Sequence, residues 1–452
     1  MFTSINPATG EPGQSHAELT GAQVEARLAK AHETFLTWRE TDLQERMTLL
    51  RHIAERFEDD KDRLARIATD EMGKTLKSAV AEVEKCASAF RYYARHGAQL
   101  LRPVEIDTPV GHATARWLPM GPVLAVMPWN FPYWQAVRFI APTIMAGNTG
   151  LLKHASAVQG CAAAMEETIL SAGAPEGLFR NLPVSSGKVA SIIADDRVVA
   201  VTLTGSEGAG AKVAEAAGRA LKKVVLELGG SDPFIVMPSA DIDLAAKTAV
   251  TARTQNTGQS CICAKRMIVH ADVYDAFMER FTAGMQAVTT GDPLDPATDM
   301  GPLSSFEQRD TVIDQVTRLR EAGATLLFGA EKPDLPGAYL TAGVLVDVDP
   351  DSEIAKEEIF GPVAMVFRAN DIDQAIAIAN DSPFGLGSSV WTQDDAEKEQ
   401  FARDIAAGMT AVNRMLASTP EAPFGGIKRS GHGRELGAWG LHEFMNLKAV
   451  IG

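Results

Sequence analysis

From residue 121 onward, short apolar runs alternate with stretches of helical spacing, and this alternation limits the possible folds more than any other feature. The apolar runs lie at 123–127, 149–152, 198–203 and 224–226, and the helical stretches include 162–172 and 210–221. Apolar strands separated by helices are typical of a parallel sheet covered by helices on both faces. The sequence therefore predicts a doubly wound α/β unit. A second α/β series should follow, with helices near 244–253, 274–288 and 309–322 and strands at 267–269 and 364–367.

The first hundred residues have a different pattern. Apolar side chains such as Met47, Leu50, Ile53 and Phe57 recur three or four positions apart among charged residues, which predicts helices over 21–100, with Asp42 as one N-cap. Residues 103–107 instead alternate apolar and acidic side chains before Gly111, which predicts a hairpin ribbon.

Composition excludes several classes of partner. The chain has 43 Lys and Arg against 58 Asp and Glu, a net charge of −15, so no broad nucleic-acid or anionic-membrane surface is expected. The uncharged window 117–137 contains four prolines, which argues against a membrane helix and for buried strand and loop. Four unevenly spaced cysteines and no export-signal pattern favour the cytoplasm.

Two short segments carry candidate chemistry. Thr-Gly-Ser-Glu-Gly-Ala-Gly at 204–210 follows a predicted strand and opens a helix, where backbone amides could bind a phosphate or simply form a turn. Gly-Gln-Ser-Cys-Ile-Cys at 258–263 lies in a polar loop. Its cysteine pair lacks the second Cys/His cluster that a zinc site needs, so no metal is expected. Each segment alone decides little.

Five motifs in a fixed order carry a family resemblance. They are Pro-Trp-Asn-Phe-Pro at 128–132, Leu-Glu-Leu-Gly-Gly at 226–230, Gly-Gln-Ser-Cys at 258–261, Glu-Glu-Ile-Phe-Gly-Pro at 357–362 and Pro-Phe-Gly-Gly at 423–426. Over nearly its whole length the chain resembles the aldehyde dehydrogenase superfamily. The resemblance implies a Rossmann-type dinucleotide-binding domain, an α/β catalytic domain and a small β element for assembly into homodimers or homotetramers. The expected boundaries are 1–101 with 121–227, then 228–432, and finally 102–120 with 433–452.

The resemblance assigns three catalytic residues. Cys261 is expected to add to the aldehyde, since a carbonyl carbon releases hydride only after it becomes a tetrahedral adduct. The Asn130 side chain and the Cys261 backbone N–H are expected to form the oxyanion hole. Glu227 is expected to act as the general base that hydrolyses the thioester, so the product is a free acid. A buried, inert cysteine is the alternative for Cys261.

The resemblance also assigns the cofactor residues. They are Trp129, Lys153, Ser156, Gly205, Ser206, Glu358 and Phe360. Lys153 is expected on the adenosine ribose and Ser206 on the pyrophosphate, while Glu358 contacts the nicotinamide ribose. Relatives that prefer NAD often carry Glu where this chain has Ser156. A neutral hydroxyl removes the repulsion of a 2′-phosphate, so NADP is predicted to be preferred, with NAD usable. An ordinary surface lysine is the alternative for Lys153.

The substrate is indicated by residues 130–138 and 261–263, which resemble succinate-semialdehyde dehydrogenases. Arg138 is expected to bind the far carboxylate of a small aldehyde, with Ser418 and Trp134 beside it. Some members have a second arginine where this chain has Gln255. Three alternatives stay open: a broader or other ω-carboxy-semialdehyde dehydrogenase, a structural salt bridge for Arg138, and a binding or structural protein without activity.

Cys263 suggests one further hypothesis. Relatives with this Cys-x-Cys spacing can close a disulfide with the nucleophile and lose activity reversibly. A small side chain that lines the loop is the alternative reading.

Overall fold

The computed structural model describes residues 1–109 and 111–452. The α-helices are α1 (Gly21–Trp38), α2 (Leu43–Asp59), α3 (Lys61–Met72), α4 (Leu76–Leu100), α5 (Trp134–Ala146), α6 (Gln159–Ser171), α7 (Val189–Ala194), α8 (Glu207–Arg219), α9 (Ile242–Thr254), α10 (Tyr274–Gln286), α11 (Phe306–Glu321), α12 (Ile372–Asn380), α13 (Asp395–Asp404) and α14 (Gly437–Glu443). The strands are β1 (Phe2–Ile5), β2 (Pro12–His16), β3 (Val104–Thr108), β4 (Gly111–Pro119), β5 (Pro122–Met127), β6 (Thr149–His154), β7 (Phe179–Asn181), β8 (Ala200–Thr204), β9 (Lys223–Glu227), β10 (Asp232–Val236), β11 (Ala264–His270), β12 (Thr325–Phe328), β13 (Gly343–Val346), β14 (Val363–Ala369), β15 (Phe384–Gly385), β16 (Ser389–Trp391), β17 (Ala411–Val412), β18 (Ile427–Lys428), β19 (Gly431–His432) and β20 (Met445–Ile451).

The N-terminal helices form as predicted. The Asp42 side chain accepts a hydrogen bond from the backbone N–H of Glu45 at 2.8 Å, so it caps α2. Helices α2 and α4 pack on each other through an apolar face in which Ile53, Phe57 and Phe90 are fully buried. This packing fixes α4 against α5, the helix that follows the 128–132 motif.

The first α/β unit is a six-stranded sheet in the order β19-β9-β8-β5-β6-β7. Strands β5 to β9 are parallel, which confirms the doubly wound prediction. The edge strand β19 is antiparallel to β9; its two residues are too short to show a strand pattern in the sequence. Chain order reverses between β5 and β8, and ligands of such sheets bind at the carboxyl ends of the strands at this point.

The second α/β series forms a seven-stranded sheet in the order β12-β13-β14-β11-β10-β16-β17. The predicted strands β11 and β14 are its central neighbours and run parallel. Only the edge strand β12 is antiparallel, to β13. Helices cover both faces, so apolar side chains from both sides of the sheet form two separate core clusters.

A third, three-stranded sheet has the order β20-β4-β3. Thr108 pairs with Gly111, which confirms the hairpin, while Val110 of the predicted ribbon lies outside the described residues. The C-terminal strand β20 pairs with β4 from Met445 to Ile451. The hairpin ribbon and the C-terminal strand therefore belong to one sheet. Its use in assembly and the domain boundaries given above stay predictions. Within the described ranges, no helix is long and apolar enough to cross a membrane.

Candidate active site

A cleft opens where β5 and β8 end, at the point where strand order reverses. Seven of the predicted site residues line it together: Trp129, Asn130, Gly205, Ser206, Cys261, Glu358 and Phe360. Three of the cleft segments directly follow strands of the six-stranded sheet: the 128–132 motif follows β5, the 204–206 turn begins at the end of β8, and residues 228–229 follow β9. The other two, 258–261 and 357–362, belong to the second α/β series. The cleft is thus built by both series.

The loop that carries Cys261 is held in an unusual conformation. Asn256, Thr257 and Gly258 have consecutive positive φ angles of 52°, 56° and 73°, a region that costs energy for side chains other than glycine. A Cβ atom on Gly258 would collide with the backbone of Gly361. The buried Arg253 donates to the carbonyls of both Gly258 and Gly361. These contacts tie the cysteine loop to the loop that carries Glu358.

Lys265 provides a second connection between these two loops. Its fully buried ammonium donates to the carbonyls of Ser260 and Cys261, each at 2.8 Å, and lies 3.1 Å from Glu358 Oε1. The lysine thereby fixes the position of the nucleophile's backbone and of one predicted cofactor ligand. Sequence reasoning missed Lys265, because an isolated lysine at the start of an apolar strand carries no motif signal.

Burial dominates the chemistry of Cys261. It raises the pKa of the thiol to about 12, although the positive charges of Arg138 and Lys265 oppose the shift. Glu358 and Asp232 add smaller effects that raise the pKa further. The free protein therefore holds a protonated thiol at neutral pH, and attack requires that its proton be removed.

Asn130 presents a donor to the cleft beside the nucleophile. Its Nδ2 donates to the Gln259 carbonyl at 3.1 Å, and its Oδ1 accepts from Gln135 Nε2 at 3.0 Å. An amide nitrogen carries two N–H bonds, so one is left for a ligand. The backbone N–H of Cys261 likewise has no acceptor among the described residues. Both predicted oxyanion donors are free.

Glu227, the last residue of β9, is only 2% exposed and does not line the cleft. Neither carboxylate oxygen has a hydrogen-bond partner within residues 1–109 and 111–452. Burial raises the pKa of this group well above its usual value, and the charge of Glu435 raises it further. A Cβ atom on Gly425 would lie 2.6 Å from Glu227 Oε1, so the glycine of the 423–426 motif makes room for the carboxylate.

Arg138 lies on α5, outside the cleft lining, and pairs with Glu435; its Nη2 also donates to Oγ1 of Thr204, a cleft residue, at 3.5 Å. The Arg138 and Glu435 side chains are 3% and 5% exposed, and Nε lies 2.8 Å from Glu435 Oε2. The guanidinium also lies 4.3 Å from the centre of the Phe424 ring. Glu435 was missed by sequence reasoning, because it lies outside the recognised motifs and an isolated glutamate carries no signal of its own.

Trp134 and Ser418 lie together, outside the cleft lining. Trp134 Nε1 donates to Ser418 Oγ at 2.9 Å. The same hydroxyl accepts from Lys85 Nζ at 3.0 Å, and this ammonium lies 4.4 Å from the centre of the Trp134 ring. Glu82 accepts the backbone N–H of Trp134 at 2.9 Å and so holds the start of α5. Lys85 was not predicted as a site residue.

The predicted nucleotide residues lie in two groups. Ser206 caps α8, and the Trp129 and Phe360 rings meet edge to face with their centres 5.8 Å apart. Lys153 and Ser156, at the end of β6 and just beyond it, lie outside the cleft lining. Lys153 has no ion pair or hydrogen bond through its ammonium in the described part of the chain, and burial lowers its pKa. An unpaired cation and a helix N-terminus are suited to phosphate groups, so these residues fit a dinucleotide.

Cys263 is fully buried and its Sγ lies 3.7 Å from the carbonyl oxygen of Gln255. All four cysteines are free thiols. The disulfide with Cys261 stays a prediction.

Comparison with known proteins gives one consistent family. The model of the aldehyde dehydrogenase family matches residues 1–450. The chain is 52% identical to succinate-semialdehyde dehydrogenase [NADP(+)] 1 of Mycobacterium tuberculosis over 452 residues, 99% of each protein. It is 53% identical over 453 residues to succinate-semialdehyde dehydrogenase [NADP(+)] of Mycolicibacterium paratuberculosis, covering 99% of this chain and 96% of that protein.

The solved structures agree. The crystal structure of succinic semialdehyde dehydrogenase from Streptococcus pyogenes in complex with NADP+ superimposes with a TM-score of 0.97 at 39% identity. The match covers 100% of this chain and 99% of that one. With the cleft between its two α/β series and its five ordered motifs, the chain belongs to the aldehyde dehydrogenase family.

Proposed function

We propose that this protein oxidises succinate semialdehyde to succinate with NADP as the preferred cofactor. Family membership makes it an NAD(P)-dependent aldehyde dehydrogenase. The observation that carries the choice of substrate and cofactor is the 52% identity, over the whole chain, to a protein named for that substrate and that cofactor. The ammonium of Lys153 and the hydroxyl of Ser156 support the choice of NADP.

In the first step the Cys261 thiol gives its proton to solvent water, its sulfur bonds to the aldehyde carbon, and the carbonyl π electrons move to oxygen. The positive charges of Arg138 and Lys265 favour the thiolate that attacks. Asn130 Nδ2–H and the Cys261 backbone N–H then donate to the oxyanion. Each such donor is worth about 3–4 kcal/mol of barrier.

The next step needs the cofactor. Bound NADP would supply the hydride acceptor for the carbon bonded to Cys261, and the oxyanion would re-form the carbonyl to leave a thioester. Lys153, Ser156 and Ser206 would hold its adenosine and phosphate groups. Glu358, fixed by Lys265, would hold the ribose next to the nicotinamide, and the rings of Trp129 and Phe360 line the same cleft.

The acyl group is then released by water. Glu227 takes a proton from water, whose oxygen bonds to the thioester carbon, and the C–S bond breaks to return the Cys261 thiolate. A carboxylate without hydrogen-bond partners and with a raised pKa accepts this proton more readily than an exposed one.

Ser156 supports the preference for NADP. It is exposed, and it is close in sequence to the unpaired Lys153. A hydroxyl can donate to a 2′-phosphate, whereas a carboxylate there would repel it by about 1 kcal/mol or more per charge pair. We therefore expect NADP to bind better than NAD.

We also infer that the protein assembles into homodimers or homotetramers through the β20-β4-β3 sheet. Val104, Ile106, Leu447 and Ile451 expose between 43% and 67% of their surfaces on its strands. Exposed apolar side chains on a sheet with open edges favour contact with a second copy.

The direct test of function follows NADPH absorbance at 340 nm with succinate semialdehyde and butanal, each with NADP and NAD. We expect the highest kcat/KM for succinate semialdehyde with NADP. Equal values for the two aldehydes would contradict the substrate proposal. A kcat/KM at least tenfold higher with NAD would contradict the cofactor proposal, and no turnover of any aldehyde would favour a binding protein.

A further inference from the structure

We propose that Lys85, acting with the Ser418 hydroxyl, binds the carboxylate at the far end of the semialdehyde and so determines the preference for an acidic aldehyde. The inference rests on the proposed function and adds to it a residue that neither the motifs nor the resemblance assigned. It follows from hydrogen-bond donors that lack acceptors and from a cation that lacks a counterion.

Lys85 contacts Ser418 and Trp134, the two residues predicted to lie beside Arg138 at the substrate. Its ammonium contacts the Ser418 hydroxyl at 3.0 Å and lies over the Trp134 ring. Trp134 packs in the same apolar cluster that Cys261 contacts. Ser418 and Trp134 are buried, whereas Lys85 is partly exposed. These two side chains therefore do not fully enclose Lys85.

Lys85, Ser418 and Trp134 together have more hydrogen-bond donors than acceptors. A hydroxyl has two lone pairs and one hydrogen, and both lone pairs of Ser418 are taken by Trp134 Nε1 and Lys85 Nζ. Its own hydrogen has no acceptor among the described residues. An ammonium has three donors, and Lys85 uses one on Ser418. A carboxylate, which only accepts, supplies what both side chains lack.

Lys85 also lacks a counterion. No carboxylate lies within ion-pair distance of its ammonium in the part of the chain that the structure describes. Glu82, one turn earlier on α4, pairs with Lys74 and accepts backbone N–H groups of α5, so its charge is already compensated. A largely buried cation without a partner is costly, and a substrate carboxylate would remove that cost.

Arg138, the residue predicted for this task, is differently placed. Its guanidinium already pairs with the buried carboxylate of Glu435 before any substrate arrives. Burial and the charge of Arg138 lower the pKa of Lys85 to about 8, while the same charge lowers the pKa of Cys261. The guanidinium therefore lies near both groups, and Lys85 provides the uncompensated charge.

The test compares Lys85→Met, Lys85→Arg and Lys77→Met. Methionine keeps the length of the side chain but removes its charge and donors. Lys77 is the matched control, because it is an exposed lysine of the same helix that faces Asp299 at 3.7 Å. For each protein, KM and kcat are measured for succinate semialdehyde and butanal, together with inhibition by succinate.

We expect Lys85→Met to raise KM for succinate semialdehyde and the inhibition constant of succinate by about 10- to 100-fold. Its kcat, and both constants for butanal, should stay within about twofold, because the lost hydrogen bond serves only the carboxylate. Lys85→Arg should recover most of the loss, and Lys77→Met should behave as wild type. Equal losses for both aldehydes in Lys85→Met would overturn the inference while leaving the proposed function intact. A wild-type protein without preference for succinate semialdehyde would instead overturn the proposed function, and this inference with it.

If Lys85→Met does not fold, the wild-type protein still provides a test. The ratio of kcat/KM for succinate semialdehyde to that for butanal should fall as pH rises past about 8, where Lys85 loses its proton. The charged groups that face Lys85 are Arg138 and Glu82, and the buried Cys86 next to it has a pKa raised well above its usual value. Because effects on Cys261 cancel in the ratio, a constant ratio from pH 7 to 9.5 would overturn the inference.

Discussion

Arg138 and Glu435 form a buried ion pair with a separation of 2.8 Å, although 296 residues lie between them in the chain. Glu435 in turn raises the pKa of Glu227, the proposed general base. Arg138 thus stabilises the ionised form of Glu435, and the charge of Glu435 raises the pKa of Glu227. Arg138 is therefore placed to influence the base and the thiol as well as a substrate.

The first prediction concerns this ion pair. Arg138→Ala should lower the free energy of unfolding by about 3–5 kcal/mol, because it leaves the charge of Glu435 buried without a partner. It should also lower kcat for butanal, in addition to the increase in KM for succinate semialdehyde that the resemblance predicts. Urea unfolding and kinetics with both aldehydes measure these effects.

The control for Arg138 is the double variant Arg138→Met with Glu435→Gln. It removes both charges, so we expect stability close to that of wild type. If Arg138→Ala leaves both the kcat for butanal and the free energy of unfolding unchanged, Arg138 acts only on the substrate carboxylate and the prediction is wrong.

A second prediction concerns Glu227. In Glu227→Gln, hydride transfer should continue but thioester hydrolysis should slow by about 10²- to 10⁴-fold. Rapid mixing should show one equivalent of NADPH per site, followed by a slow steady state. Stability at neutral pH should be equal or higher, since burial disfavours the ionised glutamate. An unchanged steady-state rate would exclude Glu227 as the base.

A third prediction follows from the pKa of Cys261. For a thiol with a pKa of about 12, the thiolate fraction rises tenfold for each pH unit below that pKa. The rate of alkylation of the free protein by iodoacetamide should therefore rise tenfold per pH unit between pH 7 and 9.5, without levelling off. Cys261→Ser should abolish the reaction, because the other cysteines are buried. A plateau near pH 8 would show that the thiol is already activated in the free protein.

A fourth prediction tests the nucleotide site. Ser156→Glu should reduce kcat/KM for NADP at least tenfold relative to NAD, because a carboxylate repels the 2′-phosphate. Ser156→Ala removes the hydroxyl without adding charge, so its effect should be smaller. The side chain is exposed, so neither change should affect folding. Unchanged ratios in both variants would place the 2′-phosphate elsewhere.

The sequence by itself determined the longer helices and strands and the local parts of the site. Parallel strands at 123–127 and 198–203 are recognisable because burial on both faces requires continuous apolar runs. Asn130 and Cys261 are likewise recognisable, since each lies within a contiguous motif through which the chain resembles the aldehyde dehydrogenase family.

Only the tertiary structure decided which charges are compensated. Lys85 and Ser418 are 333 positions apart, and Lys265 joins two loops that no local pattern connects. Whether a lysine or arginine is paired depends on carboxylates that packing brings from distant strands and helices. Burial then sets the energy of each charge, and burial is a property of the whole fold rather than of any segment.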